Sequence, residues 1–158
     1  MKPEYLILDV DGVFTDGKFY YTTEGKNMKV FGPDDANLLS LTKEFIKIVV
    51  VTADERGFPI TRKRIEEDLH LELHLVGELD RPNWIKERYP VDSTIYMGDG
   101  VYDPLVFREV GYSIAPMNAS EYTKQKANFV TKTSGGERAV AEACLHVLKK
   151  FFDHSIFE

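Results

Sequence analysis

The stretch "LILDVDGVFTDG", residues 6–17, decides how the chain is read: an apolar run that fits a buried strand passes directly into three acids, Asp9, Asp11 and Asp16. Carboxylates held together repel one another, and an unpaired buried charge costs several kcal/mol or shifts its pKa until it is neutral. Either a divalent cation with an anionic ligand offsets that repulsion, or the acids belong to a solvated turn, where Asp is common. Taken alone, the acids favour the turn.

Working outward, short apolar runs recur along the chain. "YLILDV" from Tyr5, "IKIVVVT" from Ile46, "LELHLV" from Leu71, "STIYMGD" from Ser93, "GYSIAP" from Gly111 and "NFVT" from Asn128 read as strands. Between them "PDDANLLSLTKEF", "FPITRKRIEEDLH", "RPNWIKERY", "YDPLVFREV" and "SEYTKQKA" carry apolar residues at helical spacing. "GGERAVAEACLHVLKKFF" closes the series, with Ala139, Val140, Ala143, Cys144, Val147, Leu148 and Phe151 on one helical face. This alternation specifies an α/β fold: one Rossmann-like parallel sheet with helices on both faces.

One segment departs from the alternation. "GKFYYTTEGKNMKVFG", about residues 18–31, repeats at period two on either side of Gly25 and reads as a β-hairpin rather than a crossover helix. Its Tyr20, Tyr21, Met28, Val30 and Phe31 exceed what a lone two-stranded ribbon can bury, so packing against another subunit is expected. The alternative is that the hairpin folds back on its own domain.

At 158 residues, 43% hydrophobic and 29% charged, the chain has the size and composition of one globular domain, residues 1–158. Cys144 is the only cysteine, which excludes an internal disulfide. A formal charge of −6 argues against generic nucleic-acid binding, though not against a small phosphorylated ligand beside a metal or a few local cations. No segment has the order of a signal peptide, and no apolar run approaches the roughly 20 residues that span a bilayer. No membrane partner and a cytoplasmic location are therefore expected.

In a parallel α/β sheet, ligands bind beyond the carboxyl ends of the strands. The first strand ends in Asp9 and Asp11, the second at Thr52, the third leads through Gly77 into "ELDRPN", and the fourth ends in "MGDGVYD" with Asp99 and Asp103. Four acids and a threonine would thus meet at one crevice. Asp16 reads as a turn residue outside it, and the four histidines show no metal-ligand spacing.

"DVDGV" from Asp9, Thr52 after its apolar strand, and "GDGVYD" from Gly98 resemble three signature motifs of the haloacid dehalogenase superfamily of phosphatases. The longer "DVDGVFTDG", the hairpin where other members insert a helical cap, and "SGGERAVAE" resemble its capless 3-deoxy-D-manno-octulosonate 8-phosphate (KDO 8-phosphate) phosphatase group. The resemblance implies a Mg²⁺-dependent phosphomonoesterase acting through an aspartyl phosphate. It implies Asp9 as nucleophile, Asp11 as general acid and base, Thr52 as a phosphoryl ligand, and Asp9, the Asp11 carbonyl and Asp99 around Mg²⁺ with Asp103 orienting them. It further implies a sugar-acid substrate, KDO 8-phosphate or a nonulosonate 9-phosphate, and a homotetramer whose hairpins help close neighbouring pockets.

The chain departs from that pattern in places. The usual third-motif lysine is replaced in "GELDRPNW" by Arg81, or its charge is supplied by Lys86 further along the helix. An arginine keeps the charge with a different geometry. Ala36 and Leu38 stand in a loop where small flexible residues are usual, and "TADERGFP" lacks the usual glycine and arginine after the threonine. Arg56 or Arg64 is the candidate for a substrate carboxylate. These departures leave two alternatives open: a phosphatase for another small metabolite, and a binding or assembly protein with weakened catalysis.

Overall fold

Along β1 (Tyr5–Asp9), Leu6 and Leu8 alternate with Ile7, and all three are fully buried, so both faces of this strand are covered. In the computed structural model, which describes residues 1–157, β1 lies inside a six-stranded parallel sheet. Its strands are joined by β4 (Lys47–Thr52), β5 (Glu72–Leu75), β6 (Thr94–Met97), β7 (Tyr112–Ala115) and β8 (Phe129–Val130), in the order β5-β4-β1-β6-β7-β8. The hairpin strands β2 (Tyr20–Thr22) and β3 (Gly25–Met28) form a separate antiparallel pair. The six apolar runs read from the sequence are the six strands of the sheet.

Helices cover both faces. Leu6, Leu8, Val50 and Met97 pack with Val140, Ala143, Cys144 and Val147 of α6 (Ala139–Phe152), beside α1 (Asp35–Thr42). On the other face Ile7, Val49, Val51 and Tyr96 pack with Ile85 of α3 (Arg81–Arg88) and Val106 and Phe107 of α4 (Pro104–Phe107). The remaining helices are α2 (Phe58–Arg62), which widens into a π-helical turn over Lys63–Asp68, and α5 (Glu121–Lys126). No helix among the described residues is long and apolar enough to cross a membrane.

Two local readings shift. The last helix begins at Ala139 rather than at the glycine pair, after Arg138 takes a left-handed φ of 79°. Gly135 is spent on close approach instead: a Cβ there would stand 2.2 Å from the Gly12 carbonyl oxygen. The hairpin strands are shorter than residues 18–31, although an isolated bridge between Thr15 and Phe31 continues their pairing toward β1.

Strand order reverses around β1: the chain builds β4 and β5 to one side of it and then returns to lay β6, β7 and β8 on the other. That switch point opens a crevice between the carboxyl ends of β1 and β6, which carry Asp9 and, two residues past Met97, Asp99.

Where α1 meets α6, Asp35 is buried, and its Oδ1 accepts the Ala141 N–H at 2.9 Å while Oδ2 has no hydrogen-bond partner among the described residues. Burial pushes the Asp35 carboxyl up to about 6, against the lowering effect of that N–H. A folded-state value above the unfolded one adds stability below about pH 4 that is lost as pH rises through about 6, a swing on the order of 2–3 kcal/mol. Asp35→Asn keeps the acceptor and removes the charge. Calorimetric unfolding from pH 4 to 7 should show this variant gaining stability relative to the parent as pH rises; a difference constant with pH would contradict the assignment.

Candidate active site

The chain leaves β1 through a tight turn in which Val13 and Phe14 N–H groups both return to the Val10 carbonyl. Gly12 makes the turn at φ +85°, and a Cβ on it would lie 1.9 Å from an Asp99 carboxylate oxygen. The turn thus needs glycine twice, for its backbone and for the acid packed against it. Asn118 locks the turn from outside, donating to the Gly12 carbonyl at 3.0 Å and accepting the Gly135 N–H at 2.7 Å.

Three of the expected acids converge. Asp9, Asp99 and Asp103 each place a carboxylate oxygen within 4.8 Å of the others. Burial, then the nearby Asp103 and Asp11 charges, push Asp9 up to about 7 although Arg81 opposes the shift; burial with Asp9 and Asp103 pushes Asp99 up to about 8. Such a cluster of hard oxygen donors short of positive charge fits a divalent cation of the Mg²⁺ type. Asp103 is already engaged: its Oδ1 accepts from Tyr96 at 2.6 Å and its Oδ2 accepts the Gly100 N–H at 2.8 Å. It is placed to orient rather than to give both oxygens to an ion.

Arg81, at the first turn of α3, is 1% exposed. Its Nη1 stands 3.3 Å from Asp9 Oδ1 and 3.5 Å from Asp103 Oδ1 and donates to the Tyr96 hydroxyl at 2.7 Å, while Nη2 donates to the Val76 carbonyl at 3.4 Å. Burial disfavours its charge, but Asp9, Tyr96 and Asp103 outweigh burial and hold the guanidinium protonated. Lys86 points elsewhere, pairing with Glu109 at 3.3 Å on the surface. Of the two cations weighed for the third motif, only Arg81 touches Asp9.

Thr52 ends β4 buried, and its Oγ1 accepts the Asp54 N–H at 3.1 Å, leaving its own hydroxyl proton to donate. Asp11 stands at the rim, where Lys29 Nζ lies 2.9 Å from Oδ1 and 3.0 Å from Oδ2. Asp16 lies outside, as read: it accepts the Lys18 N–H at 2.9 Å and the Tyr20 hydroxyl.

The open part of the site is a cleft of about 400 Å³ lined by Asp9, Asp11, Asp99 and Arg81 together with Phe19 and Lys26 of the hairpin segment. Neither Arg56 nor Arg64 lines it; Arg64 lies over the Phe31 ring and 4.0 Å from Asp68. The hairpin therefore turns one side onto its own crevice. Lys26 pairs with Asp54 at 2.6 Å and Lys29 with the same oxygen at 2.9 Å. Against the desolvation that would raise it, these lysines and the Gly57 N–H hold Asp54 down at about 2. Elsewhere the hairpin stays open, with Tyr21 54% and Met28 51% exposed.

Lys26, Lys29, Tyr96 and Asn118 escape sequence reasoning. The available signal was electrostatic: so many strand-end acids require cations, and the inserted hairpin is a source of them beside the crevice.

A family model described as haloacid dehalogenase-like hydrolase matches residues 85–143. The chain is 31% identical to the 3-deoxy-D-manno-octulosonate 8-phosphate phosphatase KdsC of Haemophilus influenzae, over 98% of this chain and 88% of the relative. The cobalt-bound structure of the deoxy-D-mannose-octulosonate 8-phosphate phosphatase of the same species superposes with a TM-score of 0.86 at 29% identity, over 99% of this chain and 94% of that one. The Moraxella catarrhalis 3-deoxy-D-manno-octulosonate 8-phosphate phosphatase, solved with a magnesium ion, a phosphate ion and KDO, does so with a TM-score of 0.81 at 25% identity, over 96% and 91%.

Removing the Arg81 charge strands two buried carboxylates. Arg81→Met, measured by urea unfolding in chelator, should lose roughly 3–5 kcal/mol. Adding Asp9→Asn should recover part of that loss; strictly additive losses would show that the two groups do not compensate each other.

Proposed function

The chain belongs to the haloacid dehalogenase-like phosphatases, in the group that resembles KDO 8-phosphate phosphatase, and from that premise we propose that it is a Mg²⁺-dependent phosphomonoesterase for a sugar-acid phosphate. The observation that carries this reading is the meeting of Asp9, Asp99 and Asp103 within 4.8 Å, with Arg81 against Asp9 and Asp11 at the rim of the same cleft.

Asp9 is the nucleophile. Its free oxygen forms the bond to phosphorus as the bond from phosphorus to the sugar oxygen breaks, and the departing oxygen takes a proton from Asp11. Water then attacks the aspartyl phosphate, gives a proton back to Asp11 and releases phosphate with Asp9 restored. Thr52 offers its hydroxyl to a phosphoryl oxygen, and Arg81 balances charge on Asp9 from the buried side. Asp9, the Asp11 carbonyl and Asp99 would hold the metal, with Asp103 fixing their arrangement. When bound, Mg²⁺ neutralises the clustered carboxylates and polarises the phosphoryl group.

KDO 8-phosphate or a nonulosonate 9-phosphate is the substrate on this reading, and the relatives' names support the first of these. The cations lining the cleft are Arg81 and Lys26. Arg81 is committed to Asp9 and Asp103 and Lys26 to Asp54, so on this reading a sugar carboxylate shares Lys26 with Asp54. The reading includes a cytoplasmic homotetramer, with the exposed Phe19, Tyr21 and Met28 of the hairpin segment packed on a neighbouring subunit.

Turnover of KDO 8-phosphate with Mg²⁺ should exceed that of nucleotide and amino-acid phosphates, and should vanish in chelator and return with Mg²⁺. Asp9→Asn should lower kcat by at least about 10³-fold while the fold persists. Undiminished turnover by that variant would remove the mechanism, and a preference for nucleotides would remove the substrate class.

A further inference from the structure

We infer that Lys29 is a positioning residue for the leaving-group proton: it holds the Asp11 carboxyl in the orientation from which that proton reaches the departing oxygen. This rests on the reading of Asp11 as acid and base given above.

The geometry is specific. Lys29 follows β3, its side chain is 2% exposed, and its Nζ meets Asp11 Oδ1 at 2.9 Å, Asp54 Oδ2 at 2.9 Å and Thr61 Oγ1 at 2.8 Å. The ammonium donates hydrogen bonds to Asp11 and Thr61 and forms an ion pair with Asp54, so three residues surround it. Thr61 is a buried residue of α2, and Asp54 is braced in turn by Lys26 at 2.6 Å and by the Gly57 N–H at 3.1 Å. The ammonium is therefore fixed from two sides before it touches Asp11.

Asp11 needs such a hold. Its side chain is 25% exposed, and among the described residues Lys29 is the only cation within ion-pair distance of it. An aspartate at a solvated rim otherwise samples several rotamers, each sending the carboxyl in a different direction. Proton transfer demands a donor within hydrogen-bond reach of the departing oxygen, and misplacement by about 1 Å can cost 10²-fold. Lys29 reaches both Asp11 oxygens, at 2.9 and 3.0 Å, so when one oxygen carries and delivers the proton the other still accepts from Lys29. The hairpin is thereby part of the catalytic arrangement of its own subunit.

A mere hairpin anchor and a positioning residue differ in their dependence on the leaving group. A primary alkoxide needs the proton; p-nitrophenolate scarcely does. The parent, Lys29→Met, Thr61→Val and Asp11→Asn are assayed with KDO 8-phosphate, with a simple primary alkyl phosphate and with p-nitrophenyl phosphate, and folding is followed by thermal unfolding. Lys29→Met should lose about 10²-fold in kcat on the alkyl esters and less than about 10-fold on the aryl ester, with KM changed little. Thr61→Val, a milder change that leaves the ion pairs in place, should show the same asymmetry at a smaller size. Equal losses on both ester classes in whichever of these variants folds, or a rise in KM alone, would overturn the inference. If Asp11→Asn itself showed no leaving-group dependence, the acid role would fall and the inference with it; asymmetry in Asp11→Asn without asymmetry at Lys29 and Thr61 would sink the inference alone.

Discussion

Mutual repulsion among carboxylates at the end of β1 is the constraint around which this structure is arranged. Asp9, Asp99 and Asp103 lie within 4.8 Å of one another, and burial denies them the screening that water gives at a surface. Two fixed cations answer from opposite sides. Arg81 reaches Asp9 and Asp103 from beneath, on the first turn of α3, and Lys29 reaches Asp11 from above, on the return of the hairpin. Neither covers Asp99, whose carboxyl is pushed up to about 8 and packs against the bare Cα of Gly12. The charge deficit that remains is local to the place where a divalent ion and a phosphoryl group would sit.

The hairpin illustrates how one short insert can serve two environments. The lysines at 26 and 29 reach the crevice, their ammonium groups held by Asp54 and Asp11, whereas the Tyr21 and Met28 side chains remain more than half exposed. Packing against its own domain and packing against a neighbour, which looked like alternatives from the sequence, are compatible because they use different side chains.

What the sequence discloses follows from which interactions are local. The strands announce themselves because each is a short run of β-branched and apolar residues between turns, and both faces of a parallel sheet want such residues. The strand-end acids are legible for a related reason: topology alone carries Asp9, Thr52 and Asp99 to the same edge. Lys29 lies 18 residues from Asp11 and 32 from Thr61, so no spacing rule connects them. Tyr96 is harder still, since a tyrosine within "STIYMGD" reads as one more strand residue until its hydroxyl is seen between Arg81 and Asp103.

Tyr96 also explains why an arginine is at home where a lysine is usual. The Arg81 guanidinium touches four acceptors, Asp9, Asp103, Tyr96 and the Val76 carbonyl, through its two terminal nitrogens. A single ammonium nitrogen cannot reproduce contacts spread over two nitrogens that point in different directions. The fit has a cost, because the buried Nε of Arg81 finds no partner among the described residues, a loss of about 1–3 kcal/mol for an unsatisfied buried donor. That cost is smaller than the several kcal/mol that two buried carboxylates would incur without a cation. The site is thus built for the guanidinium rather than tolerant of it: the phenol of Tyr96 occupies the space between Arg81 and Asp103, and shortening the cation would break the chain of contacts that links α3 through β6 to the start of α4.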